Sequence, residues 1–272
     1  MLYFQERLLI PHESGLIPTL LQEFHATPIV GHYGIKATLT RLSANFYWPG
    51  MHSDVKEFVL KCAICQYNKY NTHNPYGLLQ PLAVPTLVWD EISMDFITNL
   101  PSSHNKTIIC VVADRLTKFA HFVALPTAVT AASLAQTFLI EIHRLHGTPK
   151  TIVSDRDRVF VSKFWRELFK QLGTTLAFSS SYHPQTDGQT EVLNRCLETY
   201  LRFFVSENPQ QWTKFLPLAE FWYNTSVHSA IGMSPFEALY GRPPPTITNY
   251  ILGNSEVGSL DKLLVQRNQK LQ

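Results

Sequence analysis

The 272-residue chain predicts an α/β core preceded by a small helical module, and three observations carry that prediction. β-branched and apolar runs come first as a meander and then alternate with stretches of helical periodicity, which is an α/β pattern. Ahead of them lies a segment of about 50 residues, too short to fold well on core burial alone, that holds two histidines and a C-x-x-C. The composition, 45% hydrophobic and 12% aromatic, is that of a globular chain.

From the start, L-I-P-T-L-L-Q-E-F follows an extended stretch and reads as a helix with Leu20, Leu21 and Phe24 on one face. Y-G-I-K-A-T-L-T-R-L reads as a second helix, F-Y-W-P-G-M as a break, and D-V-K-E-F-V-L-K-C-A-I-C-Q as a third helix ending in the cysteine pair. His25, His32, Cys62 and Cys65 form a set of thiolate and imidazole ligands that suits one structural Zn²⁺ ion, because four protein ligands leave no open position. A redox pair with unrelated surface histidines remains the alternative at this point, and His12, His52 and His73 are rivals to the two histidines. Cys110 and Cys196 sit alone in apolar patterns and read as small buried hydrophobes.

Residues 66–88 carry three prolines and several asparagines without periodicity and read as a linker between a domain at 1–65 and a core at 89–246. Strands are expected at 89–98, 107–113 and 119–125, then a helix at 130–146, a strand at 151–154, a helix at 162–172 and a strand at 174–178. A long helix opens at Glu191, with Val192, Leu193, Cys196, Leu197, Tyr200, Leu201 and Phe204 at helical spacing. Helices at 211–225 and 234–240 are rich in aromatics such as Trp212, Phe215 and Trp222, which read as core or subunit interface.

The chemistry converges on residues 151–202. Asp155 ends the Thr151-Ile152-Val153 run, so its carboxylate emerges at the C-terminal edge of a strand, where α/β sheets keep their sites. Glu191 follows after 35 intervening residues, in the first turn of its helix. Asp95 comes from W-D-E-I-S-M-D-F-I-T, on the less apolar side of an alternating strand. Three carboxylates brought close repel one another unless a cation neutralises them, and such hard oxygen ligands suit Mg²⁺ or Mn²⁺ and two-metal phosphoryl transfer. Asp90, Asp114, Asp157 and Asp187 are local competitors, of which Asp114 and Asp187 sit in turn-like contexts.

The strings M-D-F-I, V-S-D-R-D, Y-H-P-Q-T-D-G-Q-T-E and Y-N-T-S-V-H-S-A-I-G-M-S-P-F-E-A-L-Y-G-R-P-P resemble the integrase of gypsy-type long-terminal-repeat retrotransposons, within the retroviral integrase family. The resemblance covers roughly residues 10 to 265. It implies a ribonuclease H-like mixed five-stranded sheet with flanking helices and Asp95, Asp155 and Glu191 as the catalytic ligands of two Mg²⁺ or Mn²⁺ ions. It also implies His25, His32, Cys62 and Cys65 as zinc ligands. The implied activity is trimming of DNA 3′ ends followed by strand transfer into target DNA, with a catalytically inactive DNA-binding and assembly fragment as the alternative. A ribonuclease H-type nuclease is disfavoured by the His-His-Cys-Cys module and by the Y-H-P-Q-T-D-G-Q-T-E string.

Candidate DNA contacts are Asn194 and Arg195, three and four residues after Glu191, together with Gln185, Lys118 and Arg156. An ion pair with Glu191 is the equal alternative for Arg195. The implied partners are element-end and target DNA and a dimer or tetramer on DNA, and the working compartment is the nucleus. A net charge of +2 is too small to indicate nucleic acid by itself, and the chain has no apolar run of membrane length or signal peptide, so a soluble, intracellular protein without a membrane partner is expected. Family members usually continue into a small β-barrel, so residues 247–272 are expected to be a truncated tail of a polyprotein product.

Overall fold

A computed structural model describes residues 3–68, 85–178 and 188–244. The chain divides into two compact units, residues 1–70 with 244–272, and residues 71–243.

In the N-terminal unit, short strands β1 (Tyr3–Phe4) and β2 (Arg7–Leu9) form an antiparallel hairpin. β3 (Phe46–Tyr47) joins β2 in parallel register. Only an extended stretch was expected here, since strands of two and three residues carry no period long enough to read. Three helices follow the anticipated pattern: α1 (Leu16–His25), α2 (Ile35–Ser43) and α3 (Met51–Lys61). They bury Ile17, Leu21, Leu42, Trp48, Val55 and Val59 in one small core. Trp48 is fully buried, and its indole Nε1 donates to Asp54 Oδ2 at 2.8 Å, which fixes the start of α3.

The cysteine pair corrects one expectation. Helix α3 does not run on to Cys65; it stops at Lys61, where Cys62 takes extended backbone (φ −65°, ψ 108°), and a separate α4 spans Ala63–Asn68. The Cys62 carbonyl accepts the Gln66 N–H at 3.0 Å, so Cys62 serves as the N-cap of α4.

The second unit is built on a five-stranded sheet of β4 (Glu91–Ile97), β5 (Ile108–Asp114), β6 (Ala120–Leu125), β7 (Thr151–Ser154) and β8 (Thr175–Phe178). Its order is β6-β5-β4-β7-β8. The meander β4-β5-β6 is antiparallel, whereas β7 pairs with β4 and β8 with β7 in parallel. Parallel pairing needs crossover helices, and the sequence supplies α5 (Ala131–Phe138), which continues through a π turn at Leu139–His143 into α6 (Arg144–His146), and then α7 (Lys163–Gln171). Gly173 makes the turn from α7 to β8 with φ +73°, a left-handed conformation that favours glycine.

β5 shows the layer logic. Ile109, Val111 and Ala113 point to one side, into a cluster with α8 (Gly188–Val205) and α9 (Trp212–Thr225). Cys110 and Val112 point to the other, against Leu134, Phe138, Trp165 and Phe169 of α5 and α7. Burial on both faces explains the near-continuous apolar run of this strand. Burial also pushes the Cys110 thiol up to about 12, as expected of a buried hydrophobe. Helix α10 (Pro235–Tyr240), the last among the described residues, begins at the Ser234 N-cap, whose hydroxyl accepts the Glu237 N–H.

The aromatics of α9 belong to the core, with Trp212 and Leu216 buried. The helix is fastened to the sheet by Asn224, whose amide accepts the Ala120 N–H at 2.9 Å and donates to the Ala120 carbonyl at 2.8 Å. One buried side chain thereby satisfies both backbone groups of a residue on the edge strand β6.

Candidate functional sites

In the N-terminal unit, one ligand atom from each of His25, His32, Cys62 and Cys65 lies within 4.8 Å of all the others. Cys65 Sγ is 3.4 Å from His25 Nε2 and 3.7 Å from His32 Nδ1, and Cys62 Sγ is 3.4 Å from His32 Nδ1. A tetrahedral Zn²⁺ with its usual bond lengths separates a sulfur and a nitrogen ligand by about 3.6 Å, so these distances match the edges of such a polyhedron. His25 is the last residue of α1, and Cys65 lies in the first turn of α4. His32 follows Gly31 with both residues in left-handed backbone (φ 52° and 69°), a conformation costly for histidine that turns its ring towards the thiols. Among the rivals, His12 instead meets the Pro49 carbonyl, and His73 lies outside the described residues.

The second site lies at the C-terminal edge of β7. Met94 pairs with Ser154 in parallel register, so Asp95 and Asp155 occupy the next rung on neighbouring strands, which run about 4.8 Å apart. Asp95 shares its face of β4 with Ser93 and Ile97, and Ile97 packs in the cluster beneath α8 and α9, so this side is covered. Burial, and then the neighbouring Asp155 and Asp157 charges, raise the Asp95 carboxyl to about 6, against the opposing pull of two donors. Those donors are the Phe96 N–H, 2.8 Å from Oδ1, and the Asn194 amide, 2.7 Å from Oδ2. Asp155 is also raised, by burial first and by Asp157, while the Asp157 N–H at 3.0 Å holds its Oδ1.

Two carboxyls with raised proton affinity on adjacent strands make a place where a divalent cation would relieve repulsion, and their hard oxygen atoms fit Mg²⁺ or Mn²⁺. Glu191 stands differently. Its side chain is 65% exposed and pairs with Arg195 at 3.0 Å, one helical turn along α8. Among the described residues it does not join Asp95 and Asp155 in a ready-made ligand cluster. It is nonetheless three residues from Asn194, on the same face of α8 as the amide that grips Asp95.

Of the other sequence-selected residues, Arg195 takes the ion-pair alternative and Asn194 is engaged with Asp95. Asn194 as the holder of Asp95 was missed, though its place three residues after Glu191 was the available signal. Lys118 has a left-handed backbone (φ 66°) and donates to the Arg115 carbonyl at 2.5 Å, and burial lowers its ammonium. Arg156 is exposed beside Asp155, and Gln185 and Asp187 lie outside the described residues. Asp114 is fully buried and accepts the N–H groups of Trp89 and Thr117 and the Thr117 hydroxyl, the structural role its turn context indicated. Asp90 pairs with Lys150 at 2.6 Å.

Comparison with known proteins places both units in known domain families. Residues 12–71 match the integrase zinc binding domain and residues 89–184 the integrase core domain. The chain is 35% identical over 240 residues to the transposon Tf2-3 and Tf2-4 polyproteins of Schizosaccharomyces pombe, which covers 88% of this chain. It spans 18% of the length of those relatives. A cryo-EM structure of the simian T-cell lymphotropic virus intasome in complex with PP2A regulatory subunit B56 gamma matches its fold with a TM-score of 0.51 at 18% identity. That match covers 88% of this chain and 80% of that one.

Proposed function

The chain belongs to the retroviral integrase family, on its gypsy-type long-terminal-repeat retrotransposon side, and on that premise we propose that it processes DNA 3′ ends and transfers them into target DNA. The observation that carries this reading is the shared rung of Asp95 and Asp155, tied through Asn194 to the helix that bears Glu191. Bound there by Asp95, Asp155 and Glu191, two Mg²⁺ or Mn²⁺ ions would supply charge neutralisation for an in-line displacement at phosphorus.

The chain's own residues prepare that site. The Phe96 N–H and the Asn194 amide fix both oxygens of Asp95, and the Asp157 N–H fixes one oxygen of Asp155. Such hydrogen bonds set the direction of each carboxylate before anything binds, which is the outer-shell support that ligand residues need. Glu191 exchanges its Arg195 partner for the carboxylate site, an exchange that costs little because an exposed i,i+4 pair is worth only about 0.3–0.5 kcal/mol. Arg195 is then available to a phosphate.

In the N-terminal unit, His25, His32, Cys62 and Cys65 hold one structural zinc that closes a core too small to stand well alone. DNA is the partner, and joining two DNA ends calls for at least two copies of the chain, acting in the nucleus. A second reading, a binding and assembly module without catalysis, draws on the solvent-facing, ion-paired state of Glu191.

The deciding experiment incubates the purified chain with Mg²⁺ or Mn²⁺ and a branched DNA that mimics the strand-transfer product, beside Glu191→Gln. Metal-dependent resolution by the wild type and its loss in the variant are expected. Equal inactivity of both, with zinc and DNA still bound, overturns the catalytic reading in favour of the assembly module.

A further inference from the structure

We propose that a basic trough between α7 and the edge strand β8 holds the phosphate backbone of a DNA strand that runs on from the Asp95 and Asp155 site. The inference rests on the reading of the core as an enzyme acting on DNA. The trough has a volume of about 620 Å³ and is lined by Arg156, Arg166, Lys170, Thr174, Thr175 and Phe178, among others, with no carboxylate in its wall among the described residues. Arg156 follows Asp155 directly in the chain, so the basic lining begins beside the carboxylates.

The charges on α7 are arranged in register. Lys163, Arg166 and Lys170 stand at i, i+3 and i+7 and form one exposed stripe, in which Arg166 and Lys170 line the trough and Lys163 continues the line beyond its wall, while Trp165 and Phe169 face the core. Lys163 and Lys170 are about 10 Å apart along the helix axis, far enough for each to reach a different phosphate of one strand. The acidic residue of the helix, Glu167, borders this stripe beside Lys163 and accepts the Gln171 amide at 2.8 Å, on the side away from Arg166. The Arg166 guanidinium lies over the Phe178 ring at 5.5 Å, which places it at the end of β8 instead of leaving it to sweep through solvent. At Gly173 the space a Cβ would occupy is empty, so a phosphate can approach the backbone there.

An acidic polypeptide adding to the β8 edge is the competing occupant. β8 itself reads Thr-Leu-Ala-Phe and carries no cation, whereas the charge follows the helix, so the pattern favours a polyphosphate track over an added strand.

The test measures binding of the full chain to a labelled duplex by fluorescence anisotropy across a range of NaCl concentrations. Arg166→Gln/Lys170→Gln is compared with Lys163→Gln/Lys170→Gln, which leaves the Arg166–Phe178 contact intact, and with Lys106→Gln/Lys214→Gln, which removes the same charge elsewhere. Each trough variant is expected to flatten the slope of log K against log salt by about two, one counterion per lost phosphate contact, with an unchanged melting temperature for the Lys163 variant. The control pair should leave the slope unchanged. An equal effect from the control pair, or no effect in either trough variant while the wild type binds, overturns the trough. Selective loss of poly-glutamate binding with DNA binding intact overturns it in favour of an acidic polypeptide. A wild type without salt-dependent DNA binding brings down the underlying reading and the trough together.

Discussion

The two candidate metal sites of this chain are opposite in construction. The His25–His32–Cys62–Cys65 set is complete: three of the four residues are buried, and the fourth, Cys62, is half-buried. The carboxylate site is incomplete: Asp95 and Asp155 face each other with raised proton affinity while Glu191 points to solvent and Arg195. A closed site contributes stability, because its ligands are satisfied only with the fold around them. An open site stores repulsion that a cation and a substrate relieve, and so gives up stability for chemistry.

The sharpest way to break this contrast is Cys65→Ser. The N-terminal unit should lose more than the 3–5 kcal/mol or so that a core of its size supplies and should unfold, while the second unit keeps its own transition. Circular dichroism melts with and without a chelator would show it, and a core that melted along with the N-terminal unit would mean the contrast is wrong.

Asn224→Ala asks whether the second unit stands on its own hydrogen bonds. Leaving the buried N–H and carbonyl of Ala120 unpaired should cost about 2–4 kcal/mol, read as a lower denaturant midpoint for the core transition alone.

For the carboxylate site the sign reverses. Asp95→Asn, which removes a charge that burial and Asp155 both disfavour, should stabilise the metal-free chain by up to about 1 kcal/mol and abolish any thermal shift produced by Mn²⁺. A variant that is less stable, or that still responds to Mn²⁺, would remove Asp95 from the site.

Acid separates the two regions by cause. His146 stacks on Trp89 at 3.6 Å and meets His121 at 2.9 Å, with Asp114 and, through His121, Glu220 as the nearby acids. Burial first, and then His121, lower its imidazole from 6.5 to about 4. At His146 the unfolded chain therefore binds more protons between those values, so the His146 contribution to core stability should fall as pH drops from about 6.5 towards 4 and level off below. It is opposed over the same window by Asp95 and Asp155, whose raised carboxyls take up protons first in the folded chain. The difference in denaturant midpoint between the wild type and His146→Phe, measured across this range with the zinc site chelated, isolates the His146 contribution and should shrink towards acid. The smallest effect is expected from Arg195→Gln, at most about 0.5 kcal/mol on stability, since its pair with Glu191 is exposed.

Local pattern determined most of the elements. Strand β7 falls at 151–154 as read, and β5 and α9 lie within a residue of their expected bounds, because each has a long period or sharp punctuation. The C-x-x-C made Cys62 and Cys65 legible as ligands, whereas the choice of His25 and His32 over His12, His52 and His73 came from the family resemblance, and the fold gathers those four residues into one cluster. What the sequence could not decide was pairing at a distance. That Cys62 would break the helix, that Asn194 would grip Asp95, and that Asn224 would cap Ala120 across the fold are outcomes of tertiary packing. Buried polar groups take whichever partner the assembled fold brings within reach, and no local propensity encodes which one that is.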